Sequence, residues 1–533
     1  MSYTTVTEPK QKGKGKKALT AGLAVTLALA IGVPATFAAV VGATTSNVDE
    51  NELASYTGAR LHDDFAGFKN EEGKHDKNVY FENFAEESDT IAANPVLVRV
   101  KLTHEYTTRD KTTSTEVVAA GSALTPNYAA NNITVTMGGS GEYYMPTFNK
   151  QINDPANDVR SINNNPANYK DWANEEAISE AGKDYNGNTI AATEHKAKAI
   201  PDCQVYASVA DWETAKAANP SLPAAWVYDA DSANGYYYWS EPLNPGKVTG
   251  LLINDAVVNS TGGWTYTIDV QGTYADINEP CVKEGQYYFD KDAIMPMSEG
   301  IYNMLAKSLG RINATQSAAI ATAEIGSGEV TIDDTKFTII GRNEKTREAV
   351  LLTSQENKVD IDTTAKPIED GVSFDKTWVN AYINSAETDG WLANKPTIAS
   401  CAVAKDYAYN NSGNSGDNTI VKQKITLPTL GDTDDTFISS IVGPTFANST
   451  GLNMPSEMLT GEAIVKNLFS NFNANTSLLV SSASWMSLEE GQPLNGISIV
   501  YLDPTDSDVE WMTNSSPSHT WPICALPMFV IRY

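Results

Sequence analysis

A basic cluster followed by an uncharged apolar run opens the chain. Lys10, Lys12, Lys14, Lys16 and Lys17 precede residues 18–33, sixteen positions without a charge. Pro34 breaks the run, and Ala35-Thr-Phe-Ala38 supplies small residues where a signal peptidase needs them. Lysine holds the cytoplasmic side while a helix-length apolar core partitions into the membrane, so residues 1–38 read as a secretory signal cut between Ala38 and Ala39. The alternative is an uncleaved anchor, because the uncharged stretch continues to Val48 and could span a bilayer. Either way the remaining chain works outside the cytoplasmic membrane, secreted into a matrix or held at the cell surface.

Downstream the pattern changes. Residues 39–58 are polar, with Val48, Leu53 and Tyr56 as scattered apolar positions, and read as an N-terminal arm or edge strand. Over 94–106 the period becomes two. Val96, Val98, Val100 and Leu102 face one way and Leu97, Arg99, Lys101 and Thr103 the other, which predicts a half-buried antiparallel strand with a basic outer face. Residues 78–83 are its expected partner. Residues 147–202 are an Asn-rich insertion, where Asn153-Asp-Pro-Ala-Asn157 is echoed by Asn165-Pro-Ala-Asn168. Asn and Asp bond their own backbone and stop regular structure, leaving one helical stretch at 172–181. Strands return at 225–228, 235–239, 250–253 and 264–274, punctuated by Pro242, Pro245 and Gly246. Many short strands with Pro/Gly turns predict a β-sandwich over 59–284.

Residues 285–325 break that rhythm. Ile301, Met304, Leu305 and Leu309 recur at helical spacing, which predicts a linker containing a helix. Residues 329–341 and 348–353 then suggest a hairpin opening a C-terminal module, 326–533. A helix is expected at 378–383, extended chain at 425–427, and strands at 496–502 and 527–533. The last is apolar enough to be buried. The fold class is mainly β, an antiparallel sandwich followed by a mixed α+β domain.

Composition narrows the function. Hydrophobic residues are 41% and charged residues 20% of the 533, the balance of a globular protein with proper cores. The leader carries five Lys and one Glu, so its removal takes the net charge from −28 to −32. Such a field repels nucleic acid and anionic membrane, and a DNA or RNA role is dropped. Cys203, Cys281, Cys401 and Cys524 are too far apart for a CxxC zinc or redox pair. Export makes disulfides available, and pairing 203–281 and 401–524 would contribute about 4–5 kcal/mol each by closing long loops. Four buried thiols are the alternative.

The motifs resemble a known family. Lys77-Asn-Val-Tyr-Phe-Glu-Asn83 with Asn94-Pro-Val-Leu-Val-Arg-Val-Lys-Leu102 is similar to the TasA/camelysin-like family of exported biofilm-matrix proteins, especially its BsaA branch. Gly235-Tyr-Tyr-Tyr-Trp-Ser-Glu-Pro-Leu-Asn-Pro-Gly246, Thr249-Gly-Leu-Leu-Ile253 and Trp264-Thr-Tyr-Thr-Ile-Asp-Val270 look like later strands of that family, and the leader resembles those cut by the SipW-type peptidase. The resemblance covers residues 10–280 and implies a jelly-roll-like sandwich whose relatives assemble into fibres. It also implies that the freed arm, with Val48, Leu53 and Tyr56, can enter the next subunit's sheet by β-augmentation. A flexible leader with an intramolecular first strand is the competing reading of that arm, since Asp49, Glu50 and Glu52 make a poor buried strand. Lys336-Phe-Thr-Ile-Ile-Gly-Arg342, Trp378 with Tyr382, and Pro527-Met-Phe-Val-Ile531 resemble a surface module distantly similar to C-type-lectin-like and sulfatase-modifying domains.

Catalytic chemistry finds little support. His62, His75, His104, His195 and His519 are scattered, with no HExxH for a zinc peptidase, the activity attached to camelysin-like relatives. No GxSxG elbow supports a serine hydrolase. Gly431-Asp-Thr-Asp-Asp435 and Asp503-Pro-Thr-Asp-Ser-Asp508 could take calcium, but neither has the EF-hand Gly and distal Glu, and solvated acidic turns explain them. Tyr236-Tyr-Tyr-Trp239 reads as core and cross-strand packing in preference to a sugar platform. The expectation is a non-enzymatic matrix or surface protein without a cofactor, self-assembling, whose partners are its own copies and the signal peptidase. An adhesin binding glycan or a surface protein through the C-terminal module is the alternative, and a secreted hydrolase the remote one.

Overall fold

The computed structural model describes residues 39–42, 54–56, 59–69, 74–83, 91–109, 116–126, 129–130, 133–143, 182–183, 189–190, 198–258, 264–290, 295–361, 374–410, 418–427, 429–430, 441–442, 457–458, 477–482, 497–502, 509–512 and 523–533. It is mainly β, in several antiparallel sheets. One seven-stranded sheet runs Ala39–Gly42, Trp264–Asp276, Val96–Arg109, Tyr236–Trp239, Trp226–Tyr228 and Val205–Tyr206, with Glu116–Ala123 also on Val96–Arg109. A six-stranded sheet centres on Lys74–Asn83 and Ile253–Val258, with Ala59–Lys69 at its side. Most pairings are antiparallel, as period-two alternation predicts, but Ala39–Gly42 and Val205–Tyr206 each join in parallel.

The two sheets face each other across a shared core. Leu61, Val79, Phe81 and Ile253 come from one side, and Val98, Val100, Trp226, Tyr237 and Val270 from the other. The long Val96–Arg109 strand pairs antiparallel with Trp264–Asp276 over the whole length of the latter, while its expected partner, 78–83, lies in the opposite sheet. The predicted alternation holds, but the face carrying Leu97 and Arg99 is not solvated. A second core containing Leu97, Val227, Tyr238, Phe289, Ile301 and Leu305 covers it, and Arg99 is buried.

That cover comes from the segment read as a linker. Residues 285–325 form strands Gln286–Asp290 and Met295–Met297 and helices Glu299–Ser308 and Ala314–Thr322. Ile301, Met304 and Leu305, the spacing that predicts the first helix, are its buried face. Ala314 packs into the second core, while Ile312 and Ile320 join a third core with Phe337, Leu351, Trp391 and Phe529. The segment is therefore packed against both halves.

The third core lies on a seven-stranded sheet ordered Glu329–Ile332, Thr335–Asn343, Glu348–Thr353, Met528–Arg532 and Ala402–Val403. Its first hairpin turns at Asp333 and Asp334, with φ of 49° and 57°, the left-handed pair of a tight two-residue connection. Met528–Arg532, the apolar final strand, is central in the sheet and buried over Met528–Ile531. Helix Trp378–Asn384 and strand Ile425–Thr426 occupy the expected positions. Of the Asn-rich insertion, the described part includes residues 198–202 of strand Lys198–Cys203, which pairs with Gly139–Tyr143 and seats Ile200 against Tyr80 and Leu251. Its expected helix at 172–181 lies outside the described residues. No described helix is long and apolar enough to cross a membrane.

Candidate functional site

Ala38, Val48 and Leu53 lie outside the described residues, as do both acidic clusters, 431–435 and 503–508. Ala39 opens strand Ala39–Gly42, which pairs with Gln271 to Tyr274. Tyr56 ends strand Ala54–Tyr56, which runs parallel to Ile91–Ala93. Among the described residues no three His, Cys, Asp or Glu side chains converge as a metal site.

The proposed 203–281 and 401–524 disulfides are not formed: all four cysteines are buried thiols. Each has a different surrounding. Cys203 pairs across strands with Gly139 and donates to the Gln204 carbonyl at 3.3 Å. Cys281 lies opposite Tyr288, Cys401 ends helix Pro396–Cys401, and Cys524 sits between Asp360 and Leu478. No cysteine is the register partner of another. Burial pushes the Cys203 and Cys524 thiols up to about 12 and raises Cys401, which leaves the reactive thiolate scarce.

The aromatic phrase is structural. Tyr237 and Trp239 face the sandwich core and Tyr238 the second core, all three buried. The Tyr237 hydroxyl donates to the Leu124 carbonyl at 2.5 Å, and Trp226 donates to the Gly250 carbonyl at 2.8 Å. Three of the four rings are thus packed inside cores, the role that alternation along the strand predicts.

What the pattern does build is a buried polar latch around Arg99. Its guanidinium carbon lies 3.9 Å from the Tyr236 ring centroid and 4.9 Å from that of Phe289. Nη1 donates to the Tyr238 hydroxyl at 3.1 Å and to the Pro296 carbonyl at 3.4 Å. Beside it Asp229, 1% exposed, accepts from the Ser298 backbone N–H at 3.0 Å. Ser298 in turn caps helix Glu299–Ser308, accepting from Ile301 N at 3.3 Å. Burial raises the Asp229 carboxyl above its ordinary range; the Ser298 hydrogen bonds and the Arg99 charge oppose that rise, and Asp231 adds to it. A cation held by π faces in a desolvated place contributes about 2 kcal/mol or more. The alternation on Val96–Arg109 placed Arg99 on the right face, but nothing local to it announces Phe289 or Pro296.

Among the described residues, His62 and Glu82 form a His–carboxylate pair. His62 Nε2 lies 2.5 Å from Glu82 Oε2, with the imidazole stacked on Tyr80 at 4.5 Å. Glu82 is fully buried, and its carboxylate orients the imidazole. His104 is buried in the central strand, and that burial lowers its affinity for a proton. The chain matches no family model, no curated protein and no solved structure.

Proposed function

We propose that this is an exported, non-enzymatic matrix or surface protein that assembles into fibres through its sandwich and N-terminal arm. On this reading the two facing sheets are a jelly-roll-like sandwich, and residues 326–533 a lectin-like module displayed along the fibre. The observation that carries the proposal is the position of strand Ala39–Gly42. It begins at the residue following the expected cut and adds in parallel to the edge of Trp264–Asp276 through Gln271 to Tyr274. From Trp264 to Val270 that same edge has no second strand among the described residues. A short strand on a long edge supports exchange, because backbone donors and acceptors left unpaired there gain by accepting another extended segment.

Cleavage after Ala38 frees that strand's end, so export also sets when assembly begins. Electron microscopy of the secreted product tests this. Material beginning at Ala39 is expected to form fibres, whereas an exported Ala38→Pro form that resists cleavage is expected to stay unassembled. A strictly monomeric mature product, with or without fibre seed, refutes the fibre reading.

A further inference from the structure

Two backbone hydrogen bonds gather three arginines at one end of the C-terminal sheet. Tyr533 N donates to the Arg347 carbonyl at 2.8 Å, and Ile312 N to the Arg532 carbonyl at 3.2 Å. Arg311, Arg347 and Arg532 are thereby drawn together just ahead of helix Ala314–Thr322, at the end where strand Glu348–Thr353 pairs with Met528–Arg532. The three are engaged differently. Arg311 is spent on the chain itself, donating to the carbonyls of Pro280 at 3.1 Å and Ile277 at 2.6 Å. Arg532, half exposed, lies 4.0 Å from Glu348, but both Glu348 oxygens already accept from Lys405 Nζ, at 3.0 and 2.9 Å.

Arg347 lies beside the Tyr533 hydroxyl and pairs with no carboxylate among the described residues. It sits in the turn between Asn343 and Glu348 with φ 55°, a left-handed conformation that its side chain tolerates poorly. It is 8% exposed, and its Nε has no acceptor. Its guanidinium carbon lies 5.8 Å from the Tyr533 ring centroid, and no ion pair joins it to a carboxylate among the described residues. A buried guanidinium without a counter-charge is costly, and strain in its backbone adds to that cost. Two carboxylates stand nearby without pairing to it: Glu344 acts on Tyr533, and Glu348 is taken by Lys405.

We infer that Arg347, with Arg532 and Tyr533 beside it, is a binding site for a small oxyanion of the phosphate or carboxylate class. The planar guanidinium presents its donors in a fork that matches two oxygens of either group. Arg532 adds a second cation at the rim, where the charge of neighbouring Glu348 is already met by Lys405. The anion supplies the missing counter-charge and stitches the Arg347 turn to the final strand.

Isothermal titration of the mature full chain tests the site, with sodium phosphate and sodium acetate as separate probes and chloride holding ionic strength constant. Saturable binding of one phosphate or one acetate per chain is expected, weakened at least tenfold in Arg347→Met. Phosphate binding without acetate binding identifies a tetrahedral ligand, and the reverse a carboxylate. Lys336→Met, which removes an exposed cation paired with Glu356 at 2.9 Å, is expected to leave the affinity unchanged. If Arg347→Met fails to fold, Arg347→Lys, which keeps the charge and loses the fork, is expected to bind with intermediate affinity. Absence of saturable binding of both anions to the unaltered chain, or equal affinity in the Arg347 variants, overturns the assignment.

Discussion

At the residue scale the Arg99–Asp229 latch has a pH signature. Asp229 binds its proton more tightly in the fold than in the unfolded chain, because burial penalises the carboxylate. The native state therefore holds more protons between the ordinary carboxylate range and the raised value. Its contribution is greatest below the ordinary range and is lost as pH rises through the raised one. Asp229→Asn cannot ionise yet keeps an oxygen for the Ser298 N–H. Its stability relative to the parent is expected to improve from about pH 4 to pH 7, read as denaturant midpoints at a series of pH values; a pH-independent difference refutes the assignment. The cysteines give a second residue-scale outcome. With four buried thiols and no disulfide, a thiol reagent at pH 8 is expected to label none of them in the native protein. All four are expected to react after unfolding without reductant, and labelling of fewer would restore a disulfide.

Single elements show how closely the chain packs. Strand Lys198–Cys203 lies so near Gly250 that a Cβ there would meet the Cys203 Cβ at 2.1 Å and its Sγ at 2.5 Å. Gly250 also lends its carbonyl to Trp226, so its segment cannot withdraw from Cys203 without breaking that hydrogen bond. Gly250→Ala is expected to destabilise by about 3 kcal/mol, the upper range for overpacking, and Cys203→Gly in the same chain to recover part of it. Thermal unfolding of the two variants checks this; an unaffected Gly250→Ala would show that the contact relaxes freely. Helix Glu299–Ser308 was legible in advance, since Ile301, Met304 and Leu305 recur at helical spacing and form its buried face. Its packing partners were not legible. Spacing identifies an apolar stripe, while the rings it meets, Tyr238 and Phe289 among them, belong to other strands.

For the whole molecule, the consequence is coupling. Helix Ala314–Thr322 contributes Ala314 to the core that backs the sandwich and Ile320 to the core of the C-terminal sheet. Arg311 ties the same region to the carbonyls of Ile277 and Pro280. Leu305→Ala, a cavity in the second core, is expected to cost about 2–5 kcal/mol. Hydrogen exchange should register that loss equally in Val96–Leu102 and in Met528–Arg532. Loss of protection in the first segment alone would show that the halves open independently.

The sequence by itself determined what depends on neighbours along the chain. Alternation assigned the two faces of residues 96–102 and of Tyr236 to Trp239, a 3.6-residue period marked the helix at 299–308, and apolar content buried the final strand. Charge and hydropathy at the N-terminus supplied the expectation of export. The tertiary structure alone decided what covers each face, because burial is set by segments distant in the chain. Arg99 was expected on a solvated surface, but Phe289 and Pro296, nearly two hundred residues further on, close over it. Cysteine spacing allowed disulfides, but the register put Gly139, Tyr288, Asp360 and Leu478 opposite three of the four sulfurs and the end of a helix at the fourth. Arg347 carried no local mark at all; it is buried because the final strand brings Tyr533 back onto its turn.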